Sequence, residues 1–83
     1  MQEIIVYTKK GCPLCDEAIE ALEELKKEFK FKIKEVDIYK DDELLEKYQL
    51  MIPVIEMDNE MIAYGKIEKN FLRKRFLKET IID

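Results

Sequence analysis

The chain has 83 residues, 47% of them hydrophobic and 41% charged, with a net charge of −4. That length and balance suit one compact domain over residues 1–83 with a charged shell, and argue against disorder. The acidic balance, with no basic aromatic patch, argues against nucleic acid as a main partner, and no apolar run approaches the ~18 residues of a membrane span.

"EIIVYT" (3–8) opens the series of elements. It is short, apolar and rich in β-branched residues, and reads as a central strand buried on both faces. Gly11 breaks it. "PLCDEAIEALEELKKEF" then carries Ala18, Leu22, Leu25 and Phe29 at helical spacing, with Ile19 beside them. Pro13 suits a first helical turn, where its missing N–H costs nothing. Asp16 and Glu17 near the start and Lys26 and Lys27 near the end match the helix dipole.

"FKIKEVDI" (31–38) alternates, with Phe31, Ile33, Val36 and Ile38 set against Lys32, Lys34 and Asp37. The alternation slips once, near Glu35, which points to an edge strand with one wet face. "KDDELLEKYQL" (40–50) has an acidic start and apolar Leu44, Leu45 and Tyr48, and reads as a short helix. "PVIEM" (53–57) and "EMIAY" (60–64) read as two strands around "DN", a tight hairpin turn. "KIEKNFLRKRFLKETI" (66–81) spaces Ile67, Phe71, Leu72 and Phe76 as a last amphipathic helix. Its Arg73, Lys74 and Arg75 read as a solvated face or as a contact for an acidic partner.

The order βαβαββα gives an α/β class: a four-stranded mixed sheet flanked by three helices in three layers. The first two strands, joined across a helix, should be parallel with a right-handed crossover. Cys12 then falls just past the carboxyl end of the central strand, where open α/β sheets place their active sites.

Cys12 and Cys15 are the only cysteines, and there is no histidine. The opening "MQEIIVYTKKG" carries neither the basic start nor the long apolar stretch of a secretion signal. A cytoplasmic setting, where thiols stay reduced, is therefore expected. A lone structural disulfide would be unusual there, so the pair reads as catalytic, as half of a metal site, or as packing. A closed zinc site wants four ligands, and two cysteines without histidine fall short of it; no metal site is expected.

A thiol reacts as its thiolate, and a helix start offers free N–H groups and partial positive charge. Each pKa unit takes ~1.4 kcal/mol of preferential thiolate stabilisation. A helix terminus supplies roughly 0.3–1 kcal/mol, and a buried hydrogen bond to a charged acceptor about 1.5–3 kcal/mol. Cys12 at the helix start is thus the expected nucleophile, titrating below an ordinary thiol. Cys15, one turn inside, is the expected resolving thiol. Lys9 and Lys10 add attraction, and Asp16 and Glu17 oppose it.

The ordering, "TKKGCPLC" and the later "IPV" together resemble the glutaredoxin branch of the thioredoxin superfamily over essentially the whole chain. The resemblance implies a glutaredoxin-like thiol–disulfide oxidoreductase that reversibly reduces protein or small-molecule disulfides through Cys12 and Cys15. It also implies that Pro53 is cis and faces the cysteines, and that the backbone of Ile52 binds the substrate in extended form. Lys9 matches a lysine that helps hold glutathione and the thiolate. Leu14 stands where glutaredoxins commonly carry an aromatic residue, and joins Lys9, Ile52 and Pro53 as substrate-binding. Where those proteins carry Gly-Gly and an acidic residue to cradle glutathione, this chain reads Ala63, Tyr64 and Gly65. No bound cofactor is implied. Glutathione or a reductase is the candidate donor, and a monomer is expected. The other class open to the residues is a non-catalytic thiol module: a metal or iron–sulfur carrier, or a redox sensor.

Overall fold

The computed structural model describes residues 2–78. Its elements are β1 (Gln2–Thr8), α1 (Pro13–Leu25), β2 (Phe31–Asp37), a 3-10 turn (Ile38–Lys40), α2 (Asp42–Tyr48), β3 (Val54–Met57), β4 (Glu60–Tyr64) and α3 (Lys69–Lys78). The sheet runs β2-β1-β3-β4. β1 pairs parallel to β2 and antiparallel to β3, and β3 pairs antiparallel to β4. The expected class and element order are met.

Local chemistry explains most boundaries. Cys12 is the N-cap of α1, with extended backbone and Pro13 behind it. Asp41 caps α2, its carboxylate accepting from the N–H groups of Glu43 (2.9 Å) and Leu44 (3.4 Å). Asp58 and Asn59 turn the hairpin with φ of 55° and 64°. Both are left-handed, as a two-residue turn of this hand requires and as Asp and Asn tolerate.

Two apolar layers flank the sheet. Ile4, Val6, Leu22, Leu25, Ile55, Leu72 and Phe76 pack between it and the α1/α3 side. On the other side Ile38, Tyr48 and Val54 form a smaller cluster with half-buried Tyr7, Leu44, Leu45, Met51 and Ile52. β1 is therefore not fully buried on both faces. Ile4 and Val6 are sealed, but Ile5 and Tyr7 are half-buried, because α2 is only seven residues long and covers little of its side.

Several expectations need correction. The first helix stops at Leu25, so Lys26 and Lys27 lie beyond it. The chain tightens there into i→i−3 bonds, Lys27 to Glu24 and Glu28 to Leu25, which turn Phe29 into the core. The second strand does lie at the sheet edge, as its slipped alternation suggested, and its register with β1 runs unbroken through the slip, from Gln2↔Phe31 to Thr8↔Asp37. Its apolar residues change face instead. Phe31 and Ile33 join the α1/α3 layer, while Ile38, just past the strand, joins the α2 layer.

The last helix begins at Lys69, and residues 79–81 of the expected span lie outside the described residues. Leu72 and Phe76 are sealed, but Phe71 is 53% exposed. Phe71 adjoins Leu72 in sequence, about 100° round the helix from it, and falls outside the stripe that meets the sheet.

The basic run on α3 meets acidic groups of this same chain. Arg73 donates to both carboxylate oxygens of Glu28, at 3.0 and 2.6 Å. Lys69 pairs with Glu24 at 3.1 Å, and Arg75 pairs with Glu60. The Arg73 hydrogen bond holds the Glu28 carboxyl below the usual carboxylate range.

Candidate active site

The parallel β1–α1–β2 unit brings the chain out of the sheet at Thr8. Gly11 turns it back with φ 72°. A Cβ there would meet nothing within 4 Å, so the demand is on the backbone alone. The helix then starts at once, with Cys12 at its cap. Cys12 Sγ accepts the Cys15 N–H at 3.1 Å, one of the orphan donors of a helix start. Cys12 and Cys15 are bonded as a disulfide, with Cα atoms 5.2 Å apart. Cys12 is 8% exposed and Cys15 2%, so the outer sulfur is the one nearer solvent.

The register of β1 with β3 pairs Tyr7 with Val54. Pro53, just before Val54, therefore lies at the same end of the sheet as Cys12. The Ile52–Pro53 bond is cis, and the proline ring is buried. The Gly65 N–H, at φ 73°, donates to the carbonyls of Met51 (3.0 Å) and Pro53 (2.9 Å). The segment after β4 thereby ties down the proline loop. Ile52 donates its N–H to the Tyr48 carbonyl at 3.1 Å.

Lys9 and Leu14 are both exposed beside the cysteines in the chain. Lys9 lines an open cavity of about 310 Å³ together with Thr8, Lys10, Cys15 and Asp16. Two further wall residues, Glu35 and Asp37, come from β2. Sequence reasoning missed these carboxylates as neighbours of Cys15. The signal was present in the slip at Glu35: with the register known, Glu35 stands opposite Val6 and shares its face. A larger cavity, about 390 Å³, lies between β4 and α3, where Met61, Tyr64 and the outlying Phe71 line it. It holds no cysteine. Among the described residues no three His, Cys, Asp or Glu side chains gather closely enough to hold a metal ion.

Tyr7 belongs to the α2 side. Its hydroxyl donates to Glu56 Oε1 at 3.0 Å, that of Tyr48 donates to Glu56 Oε2 at 3.1 Å, and the two rings lie 4.8 Å apart. Burial first, then the hydrogen bond and charge of Glu56, push the Tyr7 phenol up from 10.0 to about 12. The fold therefore favours the protonated phenol. That contribution to stability is complete below the unfolded value and is lost as pH rises through the folded one. Thermal unfolding followed by circular dichroism should show the wild-type melting temperature falling between pH ~10 and ~12 more steeply than that of Tyr7→Phe. Parallel slopes would show that Tyr7 is not held this way.

Residues 3–80 match the family described as a glutaredoxin-like domain (DUF836). Over 58 residues the chain is 41% identical to a protein of Methanothermobacter thermautotrophicus named a probable thioredoxin, a match covering 66% of this chain and 68% of that one. Among solved structures, a structural-genomics target protein from X. campestris superposes with a TM-score of 0.78 at 25% identity, covering 90% of this chain and 96% of that one. Thioredoxin-2 of the malaria parasite, described as a component of its protein secretion machinery, superposes with a TM-score of 0.68 at 20% identity, covering 94% and 82%. The frame these chains share is the thioredoxin-like fold.

Proposed function

Because the chain belongs to the glutaredoxin-like domain family, we propose that it is a thiol–disulfide oxidoreductase working through Cys12 and Cys15. The fold and the bonded cysteine pair support thiol-redox function in general. The observation that carries the finer reading is the position of Cys12 Sγ. It caps a helix, accepts the Cys15 N–H, and lies within bonding reach of Cys15.

In the reduced protein the same N–H and the helix start favour the Cys12 thiolate. Cys12 attacks a substrate disulfide, expels one substrate thiolate and forms a mixed disulfide. Cys15 then attacks Cys12, expels the second thiolate and leaves the Cys12–Cys15 disulfide. A donor reduces that bond and resets the pair.

Lys9, Leu14, Ile52 and Pro53 are proposed to receive the substrate. The N–H of Ile52 is already given to Tyr48, so a strand-addition contact there falls to its carbonyl. The proposed partners are disulfide-bearing proteins or small molecules. Two donors are open, glutathione with its reductase or a thioredoxin-reductase-type enzyme.

The test is catalytic reduction of a protein disulfide, followed with each donor system in turn. Turnover with either supports the reading and identifies the donor. An alkylation series on the reduced protein should show Cys12 reacting first, with a midpoint below that of an ordinary thiol. No turnover with either donor, together with ordinary thiol titration, would overturn the proposal.

A further inference from the structure

The loop proposed to receive substrate hangs on one residue. The N–H groups of Met51 (2.8 Å) and Ile52 (3.1 Å) are both given to the carbonyl of Tyr48, the last residue of α2. Whatever lets Tyr48 shift therefore shifts the backbone just before Pro53. α2 by itself is a poor anchor. Its seven residues are too few for a helix that stands alone, and it packs mainly on the 3-10 turn before it.

The tie to the sheet comes from β3. That strand reads Val54, Ile55, Glu56 and Met57, three apolar residues and one charge. Ile55 and Met57 enter the α1/α3 layer and Val54 enters the α2 layer. Alternation puts Glu56 on the α2 side with Val54. A half-buried carboxylate there is costly unless its oxygens are hydrogen-bonded. One oxygen accepts from the Tyr48 hydroxyl at 3.1 Å and the other from the Tyr7 hydroxyl at 3.0 Å.

Glu56 stands three residues past Pro53. Its bond to Tyr48 thus closes a ring that runs from Tyr48 through Met51, Ile52, Pro53 and Val54 to Glu56 and back. On the other side of the loop, the Gly65 N–H holds the carbonyls of Met51 and Pro53. The two phenols differ in what depends on them. Tyr7 lies in β1, which is laddered to β2 and to β3, so losing its hydroxyl frees no loop. Tyr48 carries the loop.

Resting on the dithiol reading above, in which Ile52 and Pro53 receive substrate, we infer that Glu56 is a positioning residue for substrate. It holds Tyr48 against the sheet, and through the Tyr48 carbonyl it fixes the loop in the shape that a docking chain meets. Its effect falls on contacts flanking the exchanged disulfide, and the exchange at Cys12 does not need it. A loop already ordered gives up less freedom on binding. Disulfides with chain on both sides of the cysteine gain from that order, and small disulfides do not.

The experiment mixes the reduced protein, in stopped flow, with two probes that share one scissile bond. The short probe is N-acetylcysteine disulfide-linked to 2-nitro-5-thiobenzoate. The long probe carries the same group on the central cysteine of an extended, uncharged peptide. In both, the Cys12 thiolate bonds to the probe's cysteine sulfur and expels the chromophore thiolate. Wild type should react faster with the long probe. Glu56→Ala and Tyr48→Phe should lower the long-probe rate constant about 3- to 10-fold, the range of one hydrogen bond. Both should keep the short-probe constant within about twofold, with circular dichroism showing each variant folded. Glu56→Gln should restore the long-probe rate, because an amide accepts from one phenol and donates to the other. Tyr7→Phe should leave both constants within about twofold. A long-probe preference that survives in Glu56→Ala or in Tyr48→Phe overturns the inference alone. So does a loss shared equally by the two probes, or one that Tyr7→Phe reproduces. A wild-type protein that treats the two probes alike overturns the substrate-receiving role of Ile52 and Pro53, and this inference with it.

Discussion

Cys12→Ser is expected to abolish turnover of a model disulfide, a loss of about 10³-fold or more, because the remaining thiol, Cys15, is nearly sealed and out of a substrate's reach. Cys15→Ser is expected to behave differently. It keeps the first attack and stalls at the mixed disulfide, which accumulates as a stable adduct on Cys12. Intact-mass measurement after mixing with a disulfide substrate separates the two. Cys15→Ser should gain the mass of one substrate thiol, and Cys12→Ser should gain nothing. The asymmetry has a structural origin. Cys12 sits at the helix cap with a backbone donor aimed at its sulfur, while Cys15 lies one turn deeper and is nearly sealed. Adducts found on Cys15 in the Cys12→Ser protein at comparable rate would remove the unequal roles.

Phe76→Ala is expected to cost about 3–5 kcal/mol of folding stability, the range for emptying a buried aromatic site. Phe76 is fully buried, and its ring meets Phe29 at 5.5 Å and Phe31 at 5.3 Å, both edge-on. It thus joins α3 to the turn after α1 and to the start of β2. These are the pieces that hold the parallel unit behind the cysteines. A small domain commands only about 5–15 kcal/mol in total, so the variant should be close to its unfolding midpoint under mild denaturant. Phe71→Ala is the matched comparison. Phe71 is half-exposed on the same helix, and its removal should cost no more than about 1 kcal/mol. Urea titrations of the two variants measure the difference. Equal losses would mean that the helix face has been misassigned.

That pair also shows where periodicity runs out. Phe71 and Leu72 are adjacent and both apolar, and spacing alone admits either as the inner residue. Only the angle at which α3 meets the sheet chooses between them. A similar limit applied to Lys26 and Lys27. Composition carried the helix through them, whereas packing of Phe29 into the core ended it early. Arg73 and Arg75 read as a surface feature in one dimension, and their partners Glu28 and Glu60 are distant in sequence or on another element. Such pairings follow from tertiary proximity, which no local pattern encodes.

The sequence by itself determined the order of elements, the parallel first unit and the placing of Cys12 at a strand-to-helix junction. These depend on short-range terms: β-branched runs, helical spacing, Pro13 and Gly11 as punctuation, and Asp58-Asn59 as a turn. The tertiary structure alone decided what surrounds Cys15. Glu35 is 20 residues away along the chain, and it appeared first as a flaw in an alternating strand. The register Val6↔Glu35 turns that flaw into a carboxylate on the α1 face. Residues in neighbouring strands share a face only through hydrogen-bonded pairing, and the register of that pairing is set by the whole sheet closing on its core.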